Sequence, residues 1–529
     1  MSDALARPTP QQIAWHDGEI GMFVHFDVPV YANTQGGTGV EGNFDLTQFN
    51  PSKLDTEQWC DVAESIGAKY IIHVAKHYSG FCNWQTDSTD YSIRNTPWRG
   101  GKGDIVADLA ESCRNRGLGL GIYLSPGDQH HGALPGGVCP NRDAQSRYND
   151  IYRRQLTELL TKYGPIMELW FDGSIVVPIE DIVEEHAPGV ICFQGPCANI
   201  RWPGSEKGIL PYPAWNAVKR RDAVTGKVTA VHGTPDGDCW LPLEVDTPIR
   251  DHFWFHNDGG EQYLKSLQQL IDVYYQSVGY GGVLLLNSNP DRSGLIPAAD
   301  AARAAEFGAE IRKRFACPLA EVAGNGDEAL LPLARPEMVD HVVVMEDIRD
   351  GERIRRYAIE GLTDDGWREL CTGSAVGHKK IDCFEPKTVS SIRFRCMEKA
   401  GPVSVKKLAA YSVGSVPLFD KDSLSLVNPI SVADLEIAPG SKEYTVDLTA
   451  ACRIPQRYEV ELFSHSSHGG FRVVQAELLV DGTSKSDAIV PMSSDKVLDL
   501  KITDWCPTEI LLRMRIEADI HLAASVMVR

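Results

Sequence analysis

Four polar side chains stand where apolar runs of this 529-residue chain give way to loops: His25 after GMFV, His77 after YIIHVAK, Tyr123 near the end of LGLGIY, and Asp172 closing MELWFD. An acid that follows Leu169-Trp170-Phe171 is costly beside aromatic surface unless it is paired, hydrogen-bonded or used; its plainer reading is a cap for the next helix. Hydrolysis by two carboxyls needs one group to attack an anomeric carbon and another to protonate the leaving oxygen and later activate water. Glu206 in RWPGSEKG, Glu244 in CWLPLEVD and Glu41 in the first long loop are the candidates for the second group, and composition does not choose among them. Trp15, Trp84, Trp170, Trp202, Trp240 and Trp254 fall in the same region and offer faces for the CH surfaces of sugars, although core packing explains most tryptophans equally well. His73 and His77 share the H-x3-H spacing of helical zinc sites. On a strand that spacing puts the rings about 13 Å apart, so no metal is expected, and His73 reads as an interior histidine. His130-His131, in a loop beside Gly132, is given no role.

These residues are positioned by a repeating pattern of apolar run, polar stretch and amphipathic helix from residue 20 to about 316. The clearest strands are Ile20–Phe26, Tyr70–His77, Leu118–Ser125, Ile166–Gly173, Val190–Gln194 and Val283–Asn287. Asp104 is placed to cap a helix running to Arg116, and Asp143 to start another that Gly164-Pro165 ends. No GxGxxG turn follows the first strand, so the pattern predicts eight units closing a (β/α)8-like barrel rather than an open doubly wound sheet. Functional groups then gather at the strand ends, where the four polar side chains already lie. Beyond Phe315 the pattern becomes all-β, without helices. The expected organisation is a barrel over residues 1–317, a β-sandwich over 318–420 and a second over 421–529, with one larger sandwich as the alternative.

Composition bounds the partners. Lys and Arg number 52 against 72 Asp and Glu, a net charge of −20 that repels phosphate backbones and anionic lipid, so neither nucleic acid nor membrane is an expected partner. No run approaches the ~18 apolar residues of a membrane helix. The start, Met1 to Pro10, lacks the features of a secretory signal, which gives a cytoplasmic expectation, or a periplasmic or secreted one where a leader has been removed. The 13 cysteines are scattered, without CxxC pairs, and read as reduced and mostly buried. Oligomeric state is not legible.

From about Trp15 to Phe315 the chain resembles the α-L-fucosidases of glycoside hydrolase family 29. The resemblance rests on GMFVHF, GAKYIIHVAKHYSGFCNW with TDYSI, GKGDIVADLAESCRNRGLGLGIYLSP, QLTELLTKYGPIMELWFDG, IRWPGSEKG and GGVLLLNSNPDRSGLIP in that order. It implies a retaining exo-α-L-fucosidase without cofactor, with Asp172 as nucleophile and Glu206 as acid/base. The RWxGxE segment is similar to the branch acting on α-1,3 and α-1,4 linkages. The resemblance further implies substrate contacts from His25, His77, Tyr123, Trp170 and Arg201, with Glu41 and Tyr78 at matched motif positions and Phe253 or Trp254 beside the sugar methyl group. Burial and the neighbouring carboxylate are expected to raise the pKa of Glu206 while Asp172 stays ionised. The chain departs from the pattern where Tyr78 replaces a His, Gly127 a Trp, Pro203 and Ser205 the residues flanking the acid/base, and Gly42 a Trp. These departures bear on linkage preference, and they motivate two alternatives: a fucose-binding protein on a degenerate barrel, or a hydrolase of another galactose-like sugar. VSSIRFRCMEKAGPVSVKKLAAYSV is similar to galactose-binding-like modules, with a purely structural domain as the alternative.

Overall fold

The computed structural model describes residues 5–34, 42–223, 230, 232–415, 417, 430–449, 457–464, 471–485, 489–494, 497–501, 509–518 and 522–528. After helix α1 (Pro10–Gly18) come strands β1 (Ile20–Val24), β2 (Tyr70–Lys76), β3 (Gly119–Leu124), β4 (Glu168–Trp170) and β5 (Ile191–Phe193). A small antiparallel pair, β6 (Ala217–Val218) and β7 (Cys239–Trp240), precedes β8 (Glu244–Pro248) and β9 (Val283–Asn287). Seven of these form one parallel sheet in the order β5-β4-β3-β2-β1-β9-β8. Their apolar runs do not alternate because both faces are covered, one by the barrel interior and one by helices; β1, β2 and β9 are buried at every residue.

The two outer strands of this sheet, β5 and β8, are joined by residues 200 and 201. Ile200 bridges to Phe193 and Arg201 to Leu243, both parallel. The Arg201 N–H donates to Pro242 O at 2.9 Å and the Glu244 N–H to Arg201 O at 3.0 Å. A two-residue stave thus completes the ring.

The helices behind the strands are α2 (Val28–Ala32), α3 (Thr56–Ile66), α4 (Ile105–Arg116), α5 (Arg142–Lys162), α6 (Glu180–His186), α7 (Leu267–Gln276) and α8 (Ala298–Phe315). Asp104 caps α4 as expected, accepting from Ala107 N, and Gly117 ends it in a left-handed conformation. Helix α5 starts at an Asn141 cap, two residues before the expected Asp143, because the Asn141 side chain accepts from Ala144 N. The ring has fewer regular units than expected. No helix separates β5 from the two-residue stave, and the described residues between 202 and 243 form loops around the β6–β7 pair. Pro203, Pro211 and Pro213, with Gly204 and Gly208, prevent a helix there.

Residues 320–411 form a six-stranded antiparallel sheet. Its Val343, Ile381, Ala409 and Tyr411 join the hydrophobic core of the barrel, and Tyr275 of α7 meets His341 at 2.8 Å. Between residues 430 and 528, a five-stranded and a four-stranded sheet enclose a core of their own, which includes Val460, Leu478 and Leu512. Of the stretch Leu418 to Ser441, the expected divide between the two all-β parts, residues 418–429 lie outside the described residues and Ile430–Ile437 form a strand.

Candidate active site

The strand ends of the barrel surround a cavity of about 210 Å³. Its lining brings together His25, His77, Tyr123, Trp170, Asp172, Glu206 and Trp254, all singled out from sequence, with Phe23, Asp246 and Phe255. Alternation along extended chain explains the placement. Phe23 and His25 share one face of the first stave, and Glu168, Trp170 and Asp172 share one face of the fourth, with Asp172 just beyond the strand end.

Both expected catalytic carboxyls open onto this cavity, and each is tied to an aromatic donor. The Tyr123 hydroxyl donates to Asp172 Oδ2 at 3.0 Å. The Trp254 indole N–H donates to Glu206 Oε2 at 2.9 Å. Burial and the nearby Asp172 charge hold the Tyr123 phenol well above its ordinary pKa, so it remains a donor. Asp172 and Glu206 are both solvent-exposed, so the burial expected around Glu206 is not found. The buried carboxyl among the residues lining the cavity is Asp246. It accepts the Trp202 indole N–H at 2.6 Å, and burial first, then the charge of Glu206, raise its pKa well above the ordinary value.

The two imidazoles are neutral. Burial and neighbouring His77 push His25 well below its usual pKa, and burial pushes His77 to about 4 against the opposing pull of Asp172. Asn287 Nδ2 donates to Trp254 O at 3.1 Å, which turns its Oδ1 toward His25 Nδ1 at 2.9 Å. His25 therefore carries its proton on Nδ1 and presents Nε2 as an acceptor. The His77 ring stacks on Tyr123 with centroids 5.5 Å apart, and its Nδ1 is buried without a hydrogen-bond partner among the described residues. Trp170 stacks on Phe193 at 4.2 Å and on Tyr123 at 5.2 Å, so the floor of the cavity is a pile of rings.

The remaining candidates lie elsewhere. Arg201 sits in the closing stave, and its guanidinium is directed at main-chain carbonyls: Nη2 donates to Trp215 O at 2.7 Å, Nε to Ala230 O at 3.2 Å, and Nη1 to Leu241 O. It braces the loops that carry Trp215, Ala230 and Leu241 and is not among the residues lining the cavity. Phe253 packs on Tyr263 at 5.1 Å, behind Trp254. Tyr78 lies over Gly127, where a Cβ would come within 2.7 Å of the ring, so these two departures from the family pattern are one packing arrangement. Glu41 lies outside the described residues. Glu244 is fully buried one layer below Asp246, where its Oε1 accepts the Trp170 indole N–H at 2.9 Å. Asp246 is the cavity-lining carboxyl least visible in the sequence; the signal was the alternation in Glu244-Val245-Asp246, which puts the second acid at the rim when the first is inside. His73 is completely buried, but against Trp59 of α3 on the helix-facing side of β2 and not inside the barrel as expected, because it alternates with Ile72 and Val74, which face the interior. Among the described residues no group of three His, Cys, Asp or Glu side chains is placed to hold a metal ion.

The family profile described as alpha-L-fucosidase matches residues 30–313, more than half of the chain and nearly the whole barrel. The chain belongs to the α-L-fucosidase family. Alpha-L-fucosidase 1 of Arabidopsis thaliana is 32% identical over 426 residues, covering 71% of this chain and 81% of the plant protein. An alpha-L-fucosidase of Branchiostoma floridae is 32% identical over 342 residues, 55% of this chain and 68% of its own length. Among solved structures, a Bacteroides thetaiotaomicron protein described as an alpha-L-fucosidase superposes with a TM-score of 0.73 at 34% identity, over 77% of this chain and 99% of that one. A glycoside hydrolase 29 member from a rumen bacterium gives 0.70 at 27% identity over 98% of this chain and 100% of its own. The fucosidase-family chain is accordingly a glycoside hydrolase whose barrel is followed by all-β sheets, as its relatives are.

Proposed function

We propose that this α-L-fucosidase family member is a retaining exo-enzyme that releases terminal fucose from α-1,3 or α-1,4 linkages. The observation that supports this best is the convergence of Asp172 and Glu206 on one cavity of about 210 Å³, a volume suited to a single sugar ring. In the first step Asp172 attacks the anomeric carbon and forms a glycosyl ester while Glu206 gives its proton to the departing glycosidic oxygen. In the second, Glu206 takes a proton from water and the hydroxide expels Asp172. The Tyr123 hydroxyl steadies the Asp172 carboxylate before attack. The Nε2 of His25 accepts a hydrogen bond from a sugar hydroxyl, and the His77 ring lines the same cavity. Phe23, Trp254 and Phe255 supply an apolar edge for the methyl group of a 6-deoxy sugar. The linkage preference is supported by the RWPGSE segment that carries Glu206.

Asp172→Asn is expected to lower kcat on an aryl α-L-fucoside by roughly three orders of magnitude or more, with azide restoring turnover as the β-fucosyl azide. Full activity in that variant removes the nucleophile assignment. Release of fucose from α-1,3- and α-1,4-fucosylated trisaccharides, and not from an α-1,2-linked one, tests the linkage.

A further inference from the structure

Beneath the cavity floor, two carboxyls meet inside the barrel with no exposure to solvent. We propose that Glu168 and Glu244 hold one proton between them, and that this neutralised pair fixes the Trp170 indole against which the sugar is seated, making Glu244 a positioning residue of the active site.

The hydrogen-bond inventory carries the argument. Trp15 Nε1 donates to Glu168 Oε2 at 2.8 Å, Trp170 Nε1 to Glu244 Oε1 at 2.9 Å, and the Tyr70 hydroxyl to Glu244 Oε2 at 3.3 Å. Three of the four carboxyl oxygens thus have a donor, while Glu168 Oε1 is buried without one among the described residues. The surrounding groups are Trp15 from α1, Tyr70 from β2, Trp170 above Glu168 on β4, the Cys192 thiol of β5, and Asp246 two residues beyond Glu244 on β8; none is a cation. Two touching carboxylates without a counter-charge repel strongly in a low-dielectric interior, and one shared proton removes the repulsion while filling the vacant acceptor. Burial pushes both acids upward, Glu168 to about 7 and Glu244 further with the help of the Glu168 charge. Glu168 and Trp170 are alternate residues of one strand, and Asp172 is the next on that face, so an indole locked by Glu244 also sets the level at which the strand delivers Asp172.

The positioning role rests on the fucosidase reading of the cavity, and the proton on the pair does not; the experiment separates them. In Glu168→Gln the amide carbonyl accepts from Trp15 and the amide N–H donates to Glu244, reproducing the bonded pair with no proton to lose. The wild-type fold keeps a proton that the unfolded chain releases, so between pH 5 and 7 its folding constant, measured by urea unfolding, is expected to fall about tenfold per pH unit relative to Glu168→Gln. An infrared difference spectrum in heavy water, wild type minus Glu168→Gln at pH 6, should show a protonated carboxyl band. On an aryl α-L-fucoside Glu168→Gln should retain kcat within about threefold, whereas Glu244→Leu, which removes both acceptors, should lose at least tenfold in kcat with the near-ultraviolet circular dichroism of the indoles altered. A pH-independent stability difference with no carboxyl band overturns the shared proton, and it does so even if Glu244→Leu does not fold. A band together with full activity in a folded Glu244→Leu overturns the positioning role alone. A wild-type protein inactive on every fucoside, with the band present, overturns the fucosidase reading and leaves the pair intact.

Discussion

Removing the ammonium of Lys76 tests how the rim loops around the cavity are held. Lys76, at the end of β2, meets Asp128 at 3.0 Å, and neither side chain has any exposure. Its Nζ also donates to the Tyr148 hydroxyl at 3.2 Å and lies 5.1 Å from the centre of the Tyr152 ring. Asp128 follows Gly127 in the loop after β3, accepts the His131 N–H at 3.0 Å and contacts His131 Nδ1 at 3.1 Å. Burial alone would raise the Asp128 carboxyl, but Lys76 and then His131 outweigh it and hold it below its ordinary range. Lys76→Met leaves a buried carboxylate without its cation, a loss of about 3–5 kcal/mol, equivalent to a drop of roughly 6–20 °C in the melting midpoint of the barrel. Lys76→Met/Asp128→Asn removes the stranded charge, keeps an acceptor for the His131 N–H, and should recover at least half of the loss. A carboxylate depressed in the fold contributes stability above its unfolded pKa and loses it as the pH falls through the folded value. The gap between wild type and Lys76→Met should therefore be widest near pH 7 and narrow below about pH 4. Urea unfolding followed by tryptophan fluorescence at both pH values reads this directly. A single variant within 1 kcal/mol of wild type, or a double variant no better than the single, would refute the reasoning.

Two further outcomes follow from the cavity wall. His77 is neutral in the fold with its pKa at about 4, against 6.5 as the ordinary value, so only the unfolded chain takes up its proton as the pH falls across that window; stability should drop by up to ~3 kcal/mol, and His77→Asn should flatten the slope of melting midpoint against pH. Equal slopes in the two proteins would count against it. Gly127→Ala places a Cβ 2.7 Å from the Tyr78 ring, which should cost about 1–3 kcal/mol, and Tyr78→Ala in the same chain should return most of it in a thermal melt; additivity of the two changes would show that the ring and the glycine are not coupled.

Much of the site was legible because strand ends in a barrel announce themselves. Uniformly apolar runs closed by His25, His77, Tyr123 and Asp172 mark the rim, and those four residues do meet. The Asp104 cap was readable for the same reason, a polar residue at a fixed offset from a periodic face. What sequence did not show is where the repeat fails. Residues 200 and 201 complete the ring with too few positions for any periodicity to appear. Arg201 was expected at the substrate because the family resemblance places an Arg near the acid/base, yet its direction depends on carbonyls of Trp215, Ala230 and Leu241 that only folding brings near. Glu244 and Asp246 differ by one step of pleat, and which of the two reaches the rim is a question of register that a single sequence leaves open.

The ring's two-residue seam divides labour within the cavity. His25, His77, Tyr123 and Asp172 come from full staves backed by helices, where a small shift would disturb the packing of the whole barrel. Glu206 comes from a loop that leaves the ring after the two bridged positions and is held by side chains, Trp202 on Asp246 and Trp254 on Glu206 itself. Loops in general accept insertions and deletions more readily than the strands they join. The carboxyl proposed as acid/base thus sits on loop chain, and the one proposed as nucleophile on the barrel wall itself.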